Sequence, residues 1–120
     1  AYNINKYNMA SIRQSKISEL IRQELSMLFQ RNARSMCKGA MVTVTTVRVT
    51  KDLSIAKAYL SIFGIKDPKE AYDSINNQKA TIRMELAKIM RNQMRKVPEF
   101  QFYIDDSLDY AENIDNLLKE

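Results

Sequence analysis

The chain of 120 residues contains no histidine and only one cysteine, two glycines and two prolines. Without histidine it lacks the most common general base and metal ligand of protein active sites. The lone Cys37 provides neither an internal disulfide nor a cysteine-type zinc site. Gly39 and Gly64 are too few for a glycine-rich loop that binds nucleotide phosphates. These absences argue against an enzyme and predict no cofactor and no metal.

Long hydrophobic runs are also absent, although 45% of the residues are hydrophobic. No segment approaches the roughly 20 apolar residues of a membrane-spanning helix, and no signal-peptide pattern opens the chain. The hydrophobic fraction is sufficient for a folded core, and the length fits one domain. A free cysteine and seven methionines are typical of a reducing compartment. We therefore expect a cytoplasmic protein without a membrane partner.

Charge is distributed unevenly along the chain. The net charge is +6 over residues 1–50, +5 over residues 51–96 and −6 over residues 97–120. Basic surfaces attract polyanions, because Lys and Arg side chains displace the counterions that condense on nucleic acid. The charge distribution therefore favours a nucleic-acid partner for the first two segments.

Hydrophobic periodicity predicts one α+β domain over residues 11–105. A flexible segment, residues 1–10, precedes it, and an acidic C-terminal helix, residues 106–120, follows it. The first helix is predicted from Ser11 to about Ala33, where apolar residues recur at helical spacing. Residues 31–40, which overlap the end of this helix, lose the helical period and predict a basic loop.

Alternation and β-branched residues predict three strands, over residues 41–50, 53–63 and 100–104. Val44 and Val47 fall on opposite phases, which predicts a bulge between them in the first strand. Lys51 and Asp52 separate the first two strands and predict a hairpin, although no Asn-Gly or Asp-Gly turn is present.

Two helices are predicted between the second and third strands. Asp67 and Pro68 are typical of a helix N-terminus, and this helix continues to about Gln78. The next helix is predicted from about Thr81 to Arg95, because Pro98 disfavours helix beyond it. Helices on one face of three strands indicate a two-layer α+β sandwich.

Two groups of basic residues are the predicted phosphate contacts. On the helix predicted after Thr81, the residues Lys88, Arg91 and Arg95 would lie within about 60° of one another. Arg83 lies closer to the apolar stripe of the same helix. The second group belongs to the first helix and the basic loop and consists of Arg22, Arg31, Arg34 and Lys38. The alternative for both groups is a solvated surface without a fixed partner.

Other functions remain open from the residues alone. An exposed strand or the acidic tail would suit a protein–protein adaptor in another RNA-related complex. Asp105 and Asp106 could serve an enzyme, but adjacent carboxylates in such a segment are more often a solvated cap. Tyr59, Tyr103 and Tyr110 could stack on bases, although packing within the domain is their expected role.

The predicted order of elements is that of a type II KH domain, and four segments resemble bacterial ribosome-binding factor A. They span roughly residues 12–118 and read RQSKISELIRQELSMLFQR, VTVTTVRVTKDLSIAKAYLSIFG, IRMELAK and VPEFQFYIDDSLDYAENIDNLL. The resemblance implies a KH-like fold without the GxxG loop of ordinary KH domains, and this chain has no GxxG. It implies a cytoplasmic, monomeric, non-catalytic assembly factor that needs no cofactor.

The resemblance also implies what such a factor binds. The expected partners are the 30S small ribosomal subunit and its 16S rRNA, whose maturation the family assists. Assembly GTPases are candidate further partners, and the family is linked to growth in the cold.

The chain departs from the family pattern at three places. Gln78-Lys79-Ala80 replaces the family's Ala-x-Gly at a kink between two helices, and Ala lacks the conformational range of Gly. Lys79 adds a charge at this junction and joins the first group of predicted contacts. Met36-Cys37-Lys38 replaces Asp-Pro-Arg before the first strand. The segment before Pro98 is about two residues longer than usual, around Asn92-Gln93.

Overall fold

A computed structural model of the protein describes residues 9–105, with side chains from Ile12 onward. The predicted acidic helix, residues 106–120, lies outside this range, as does most of the N-terminal segment predicted to be flexible. The described elements, in chain order, are α1 (Met9–Arg31), α2 (Ala33–Cys37), β1 (Met41–Val49), β2 (Ile55–Phe63), α3 (Pro68–Asn77), α4 (Lys79–Ile89) and β3 (Glu99–Ile104).

The three strands form one sheet in the order β1-β2-β3, with β2 in the centre. β1 pairs antiparallel with β2, whereas β3 pairs parallel with it. A parallel pair needs a crossover connection, which here consists of α3, α4 and the loop after α4. The predicted α+β class is confirmed, and the order of elements is that of a KH-like domain.

The hairpin between β1 and β2 and its bulge are confirmed. The register shifts between Val44 and Thr46, so that Thr45 is the extra residue of β1. In the turn, Asp52 Oδ1 accepts hydrogen bonds from the Thr50 hydroxyl at 2.8 Å and from the Ser54 amide at 3.1 Å. Leu53 adopts a left-handed conformation with φ of 60°. Hydrogen bonds to the Asp52 carboxylate thus stabilise a hairpin turn that has no Asn-Gly pair.

One face of the sheet packs against the helices and forms the core. Ala56 and Ala58 of β2 are fully buried, and their small side chains allow the helices to approach closely. Phe29 of α1 packs edge-on against Phe102 of β3, with ring centroids 6.1 Å apart. Ser26 of α1 accepts a hydrogen bond from the backbone amide of Val44 at 3.0 Å, which ties α1 to the free edge of β1.

The predicted loop over residues 31–40 is wrong for its central part, which forms the short helix α2. Met36 and Cys37 are buried at the end of this helix, so burial stabilises a turn that lacks helical periodicity. Lys38 and Gly39 then take left-handed conformations, with φ of 54° and 83°, and end the helix α2.

The first helix, α1, begins at Met9, two residues before the predicted start at Ser11.

A break separates α3 from α4 at Gln78, although no glycine is present. Gln78 has φ of −111° and ψ of 19°, which is accessible to any residue. Its side-chain amide donates to the Ser74 carbonyl at 3.0 Å and to the Met36 carbonyl at 3.2 Å. Hydrogen bonds from the Gln78 side chain to α3 and α2 therefore stabilise the break in this chain.

Candidate nucleic-acid interface

A basic groove lies at the end of the domain where β3 begins. It is lined by α1, the turn between β1 and β2, α4, the loop between α4 and β3, and the first residues of β2 and β3. Its cavity volume is about 750 Å³. The cationic side chains that line it, named here the groove cations, are Arg13, Arg83, Arg91, Arg95 and Lys96.

The end of α4 at Ile89 shapes the groove, because the residues that follow form one of its walls. The helical pattern of the sequence predicts a later end. The helix stops at Ile89, and Met90 caps it by donating its backbone amide to the Leu86 carbonyl at 2.9 Å. Gln93 and Met94 then bond back to the Met90 carbonyl, each at 2.9 Å. The predicted helix to Arg95 is therefore wrong beyond Ile89, because the chain turns there to reach the sheet.

Two buried anchors hold the loop after α4. Met94 is only 9% exposed, and Val97 only 3%, so both pack into the core. Glu99 then joins the sheet by donating its backbone amide to the Ser54 carbonyl at 2.9 Å. Between these anchors the side chains of Arg95 and Lys96 are exposed.

Arg83 links α4 to this loop. Its Nε donates to the Val97 carbonyl at 3.0 Å, and its guanidinium lies 3.8 Å from a Glu99 carboxylate oxygen. The other four groove cations make no ion pair with any residue in the described part of the chain. Three Arg side chains and one Lys are thus available to an anion, on a wall that Arg83 fixes in place.

The groove also contains two carboxylates, Asp52 and Glu99. Hydrogen bonds from Ser54 and Thr50 hold the pKa of Asp52 below its usual value, which favours its charged form. Five cations against two carboxylates leave the groove strongly basic. Such a surface attracts polyphosphates, with no requirement for a particular base sequence.

The first group of predicted contacts is only partly brought together. Arg83, Arg91 and Arg95 share the groove, although the last two are in a loop rather than on a helix. Lys88 remains on α4, where its Nζ lies 3.4 Å from Glu85 Oε1, and it does not line the groove. Lys79, the first residue of α4, is exposed and also does not line the groove.

The second group does not form one surface around a shared cavity. Arg22 lines a separate groove between α1 and β1, and its guanidinium forms an ion pair with Glu19 at 2.6 Å. Hydrogen bonds from Arg22 and Gln23 lower the pKa of Glu19 to about 2. Lys38 lines a third depression that also contains two carboxylates. Arg31 and Arg34 are exposed near the junction of α1 and α2.

The sequence interpretation missed two groove cations, Arg13 and Lys96. Lys96 directly follows Arg95, so a count of adjacent charges could have included it. Arg13 gives no local signal, because only the packing of α1 beside the α4–β3 loop brings it to residues about 80 positions later.

Comparison with known proteins identifies the family. A sequence model described as "Ribosome-binding factor A" matches residues 13–118. The chain belongs to the ribosome-binding factor A family. A ribosome-binding factor A from Christiangramia forsetii is 44% identical over 108 residues, which cover 89% of this chain and 82% of the relative. One from Flavobacterium johnsoniae is 40% identical over 111 residues, covering 92% and 85%.

Solved structures of the ribosome-binding factor A family share the fold. The crystal structure of ribosome-binding factor A from Thermus thermophilus superposes with a TM-score of 0.63 at 21% identity, covering 76% of this chain and 94% of that one. A solution structure from Thermotoga maritima gives a TM-score of 0.59 at 28% identity, covering 76% and 85%. The matched range of the ribosome-binding factor A family includes all five groove cations.

Other chemistry finds little support in this ribosome-binding factor A domain. Among residues 9–105, no cluster of three Cys, Asp or Glu side chains could hold a metal ion. Burial raises the pKa of the Cys37 thiol to about 11, which keeps it neutral and unreactive. Asp105 accepts a hydrogen bond from the Thr45 hydroxyl, while Asp106 lies outside the described residues. No helix in the described range is long and apolar enough to cross a membrane.

Proposed function

We propose that this protein binds the small ribosomal subunit through the phosphates of 16S rRNA and assists the maturation of that RNA. The observation that carries the proposal is the basic groove, in which four cations are free of intramolecular ion pairs within the described range. Membership of the ribosome-binding factor A family supports a ribosomal partner. The charge of the groove suits a sugar–phosphate backbone, since Arg and Lys are the usual phosphate ligands.

The proposed action is binding rather than catalysis. A protein that binds one rRNA conformation more tightly than another shifts the folding equilibrium by the difference in the two binding free energies. Such a factor needs neither a nucleophile nor a cofactor. It acts in the cytoplasm as a monomer, and assembly GTPases are proposed as further partners.

The remaining predicted contacts are assigned a secondary role. Lys79 and Lys88 lie near the two ends of α4, while Arg22, Arg31, Arg34 and Lys38 lie on other parts of the surface. Surface cations of this kind add long-range attraction, which steers association but falls steeply with ionic strength. We therefore expect their replacement to slow association more than it weakens the final complex.

Sedimentation with purified 30S subunits tests the proposal. The double variant Arg91→Glu, Arg95→Glu should lose co-sedimentation, because it converts two groove cations into anions. The control is Lys66→Glu, Lys69→Glu, which makes the same change of net charge on exposed residues outside the groove. Both variants should retain the circular-dichroism melting temperature, because all four side chains are exposed.

The outcomes separate the proposal from its alternative. Retained co-sedimentation of the groove variant, with the control unchanged, would refute the assignment of this groove. Binding that withstands high salt and ribonuclease treatment would instead indicate a protein–protein adaptor, because phosphate binding weakens steeply with salt.

A further inference from the structure

The face of the sheet that points away from the helices carries an ordered pattern of polar and aromatic side chains. Residues on this face alternate with the core residues of each strand. Because β1, β2 and β3 pair in a known register, the side chains of this open face form rows that run across the strands. Two neighbouring rows of this open face differ in chemistry, one aromatic and one cationic.

The aromatic row contains Tyr59 of β2 and Tyr103 of β3, which are register partners. Their rings stack with centroids 5.3 Å apart and an interplanar angle of 24°. Tyr103 is 39% exposed, and it is on the edge strand of the described sheet. Its hydroxyl donates to Gln101 Oε1 at 3.0 Å, which restricts the ring. Tyr59 covers one face of this ring, and no ring among residues 12–105 stacks on the opposite face, where a ligand could bind.

The cationic row lies two residues along each strand from the aromatic row. Arg48 of β1 and Lys57 of β2 are register partners, and Lys57 is also the partner of Gln101 of β3. Both cations are exposed, and neither forms an ion pair with a residue between 12 and 105. Strands rise about 3.3 Å per residue, so the two rows are about 7 Å apart.

We propose that this face binds unpaired nucleotides of single-stranded RNA, with one base stacked on Tyr103 and neighbouring phosphates held by Lys57 and Arg48. The base stacks on the side of Tyr103 that faces away from β2, so Lys57 lies about 7 Å away along the strands and more than one strand spacing, about 5 Å, away across them. The long side chains of Lys57 and Arg48 bridge this distance to phosphates of the strand as it crosses the sheet. Gln101, in the cationic row, accepts from the Tyr103 hydroxyl through its Oε1, and its Nε2 can donate to a base edge. The proposal rests on RNA being the partner, as in the proposed function, and adds a second contact site on it.

The chemistry of the two rows favours this occupant over a duplex. A paired base is stacked on both of its faces, so it offers no free face to a tyrosine ring. A single strand offers both features, and stacking on an aromatic side chain tolerates any base. Unlike the groove, whose contacts are to phosphates alone, this face distinguishes unpaired from paired RNA.

Photocrosslinking tests the proposal directly. A short single-stranded RNA with one 5-iodouridine, irradiated with the full chain, should crosslink to Tyr103, because this nucleoside reacts with aromatic rings stacked on it. Tyr103→Phe should retain the crosslink at this position, whereas Tyr103→Ser should lose it and bind the RNA about tenfold more weakly. The same RNA annealed to its complement should give no crosslink at Tyr103.

The affinity of the RNA, measured by fluorescence anisotropy, separates this proposal from the proposed function. Equal affinities of the wild type and Tyr103→Ser, or crosslinks that map only to the groove, would overturn the stacking site and leave the groove intact. Failure of the oligonucleotide to bind would overturn it as well. Loss of 30S co-sedimentation in the groove variant decides the proposed function independently, because that variant retains Tyr103, Lys57 and Arg48.

Discussion

The groove makes a quantitative prediction about salt dependence. Of its five cations, Arg83 is already committed to Val97 and Glu99, so at most four phosphates are neutralised by free side chains. Each neutralised phosphate steepens the dependence of log K on log salt by about 0.7 for single strands and about 0.9 for duplexes. The four free cations therefore contribute a slope of about −2.8 to −3.6.

Replacing Arg91 and Arg95 by Gln should flatten this slope by about 1.4 to 1.8. Between about 50 and 200 mM salt, the affinity of the wild type should consequently fall about sevenfold to twelvefold more than that of the variant. Fluorescence anisotropy of a labelled 16S rRNA fragment across this range measures both slopes.

Lys66→Gln, Lys69→Gln is the matched control, because it removes the same net charge from exposed residues outside the groove. Its slope should remain close to that of the wild type. Equal flattening of the slope in the two double variants would refute the assignment of RNA binding to the groove. It would show that binding depends on net charge rather than on the positions of Arg91 and Arg95.

Three further predictions concern the framework of the domain. Ser26→Ala leaves the buried Val44 amide without its acceptor and should lower the free energy of unfolding by about 1–3 kcal/mol; an unchanged urea midpoint would contradict this. Gln78→Ala removes the side-chain bonds to the Met36 and Ser74 carbonyls and should lower the free energy of unfolding by about 1 kcal/mol, with faster amide hydrogen exchange in α2 and the end of α3. Because burial raises the pKa of Cys37 from 9.0 to about 11, folding favours the neutral thiol. Stability should thus fall as the pH rises from 9 through 11, and Cys37→Ala should remove this part of the pH dependence.

The features that could be predicted from the sequence are those that short stretches of chain determine. Asp67 caps α3 by accepting a hydrogen bond from the Lys69 amide at 3.1 Å, as the Asp-Pro pair indicates. The bulge in β1 follows from the change of phase between Val44 and Val47. Both features depend on residues within a few positions of each other, so no knowledge of the tertiary structure is needed.

The end of α4 could not be predicted in this way. Residues after Ile89 keep helical spacing, since Met90 and Met94 are four positions apart, and both are buried in the folded chain. The chain leaves the helix because Glu99 must pair beside Ile55 in a parallel ladder. Ile55 lies 34 positions before the end of α4, so the local periodicity carries no information about this pairing.

The sequence predicts the basic character of the candidate site, but only part of the arrangement of its side chains. Arg83, Arg91 and Arg95 were expected to share a surface, and they do, although a loop rather than a helix positions two of them. The same reasoning placed Lys88 with them, but it pairs with Glu85. Charge counts identify basic segments of the sequence. Which of their Lys and Arg side chains line the groove depends on where the backbone turns.

The parallel pairing of β3 with β2 has a consequence for recognition. Arg13 and Arg83 are 70 positions apart, and the loop that completes their shared groove is held by Met94 and Val97 in the core and by the bond of Glu99 to Ser54 at the sheet. A chain without this pairing would carry most of the same positive charges but would lack the strand that completes the groove. Net positive charge alone therefore does not provide the proposed RNA site, which requires β3 to be paired with β2.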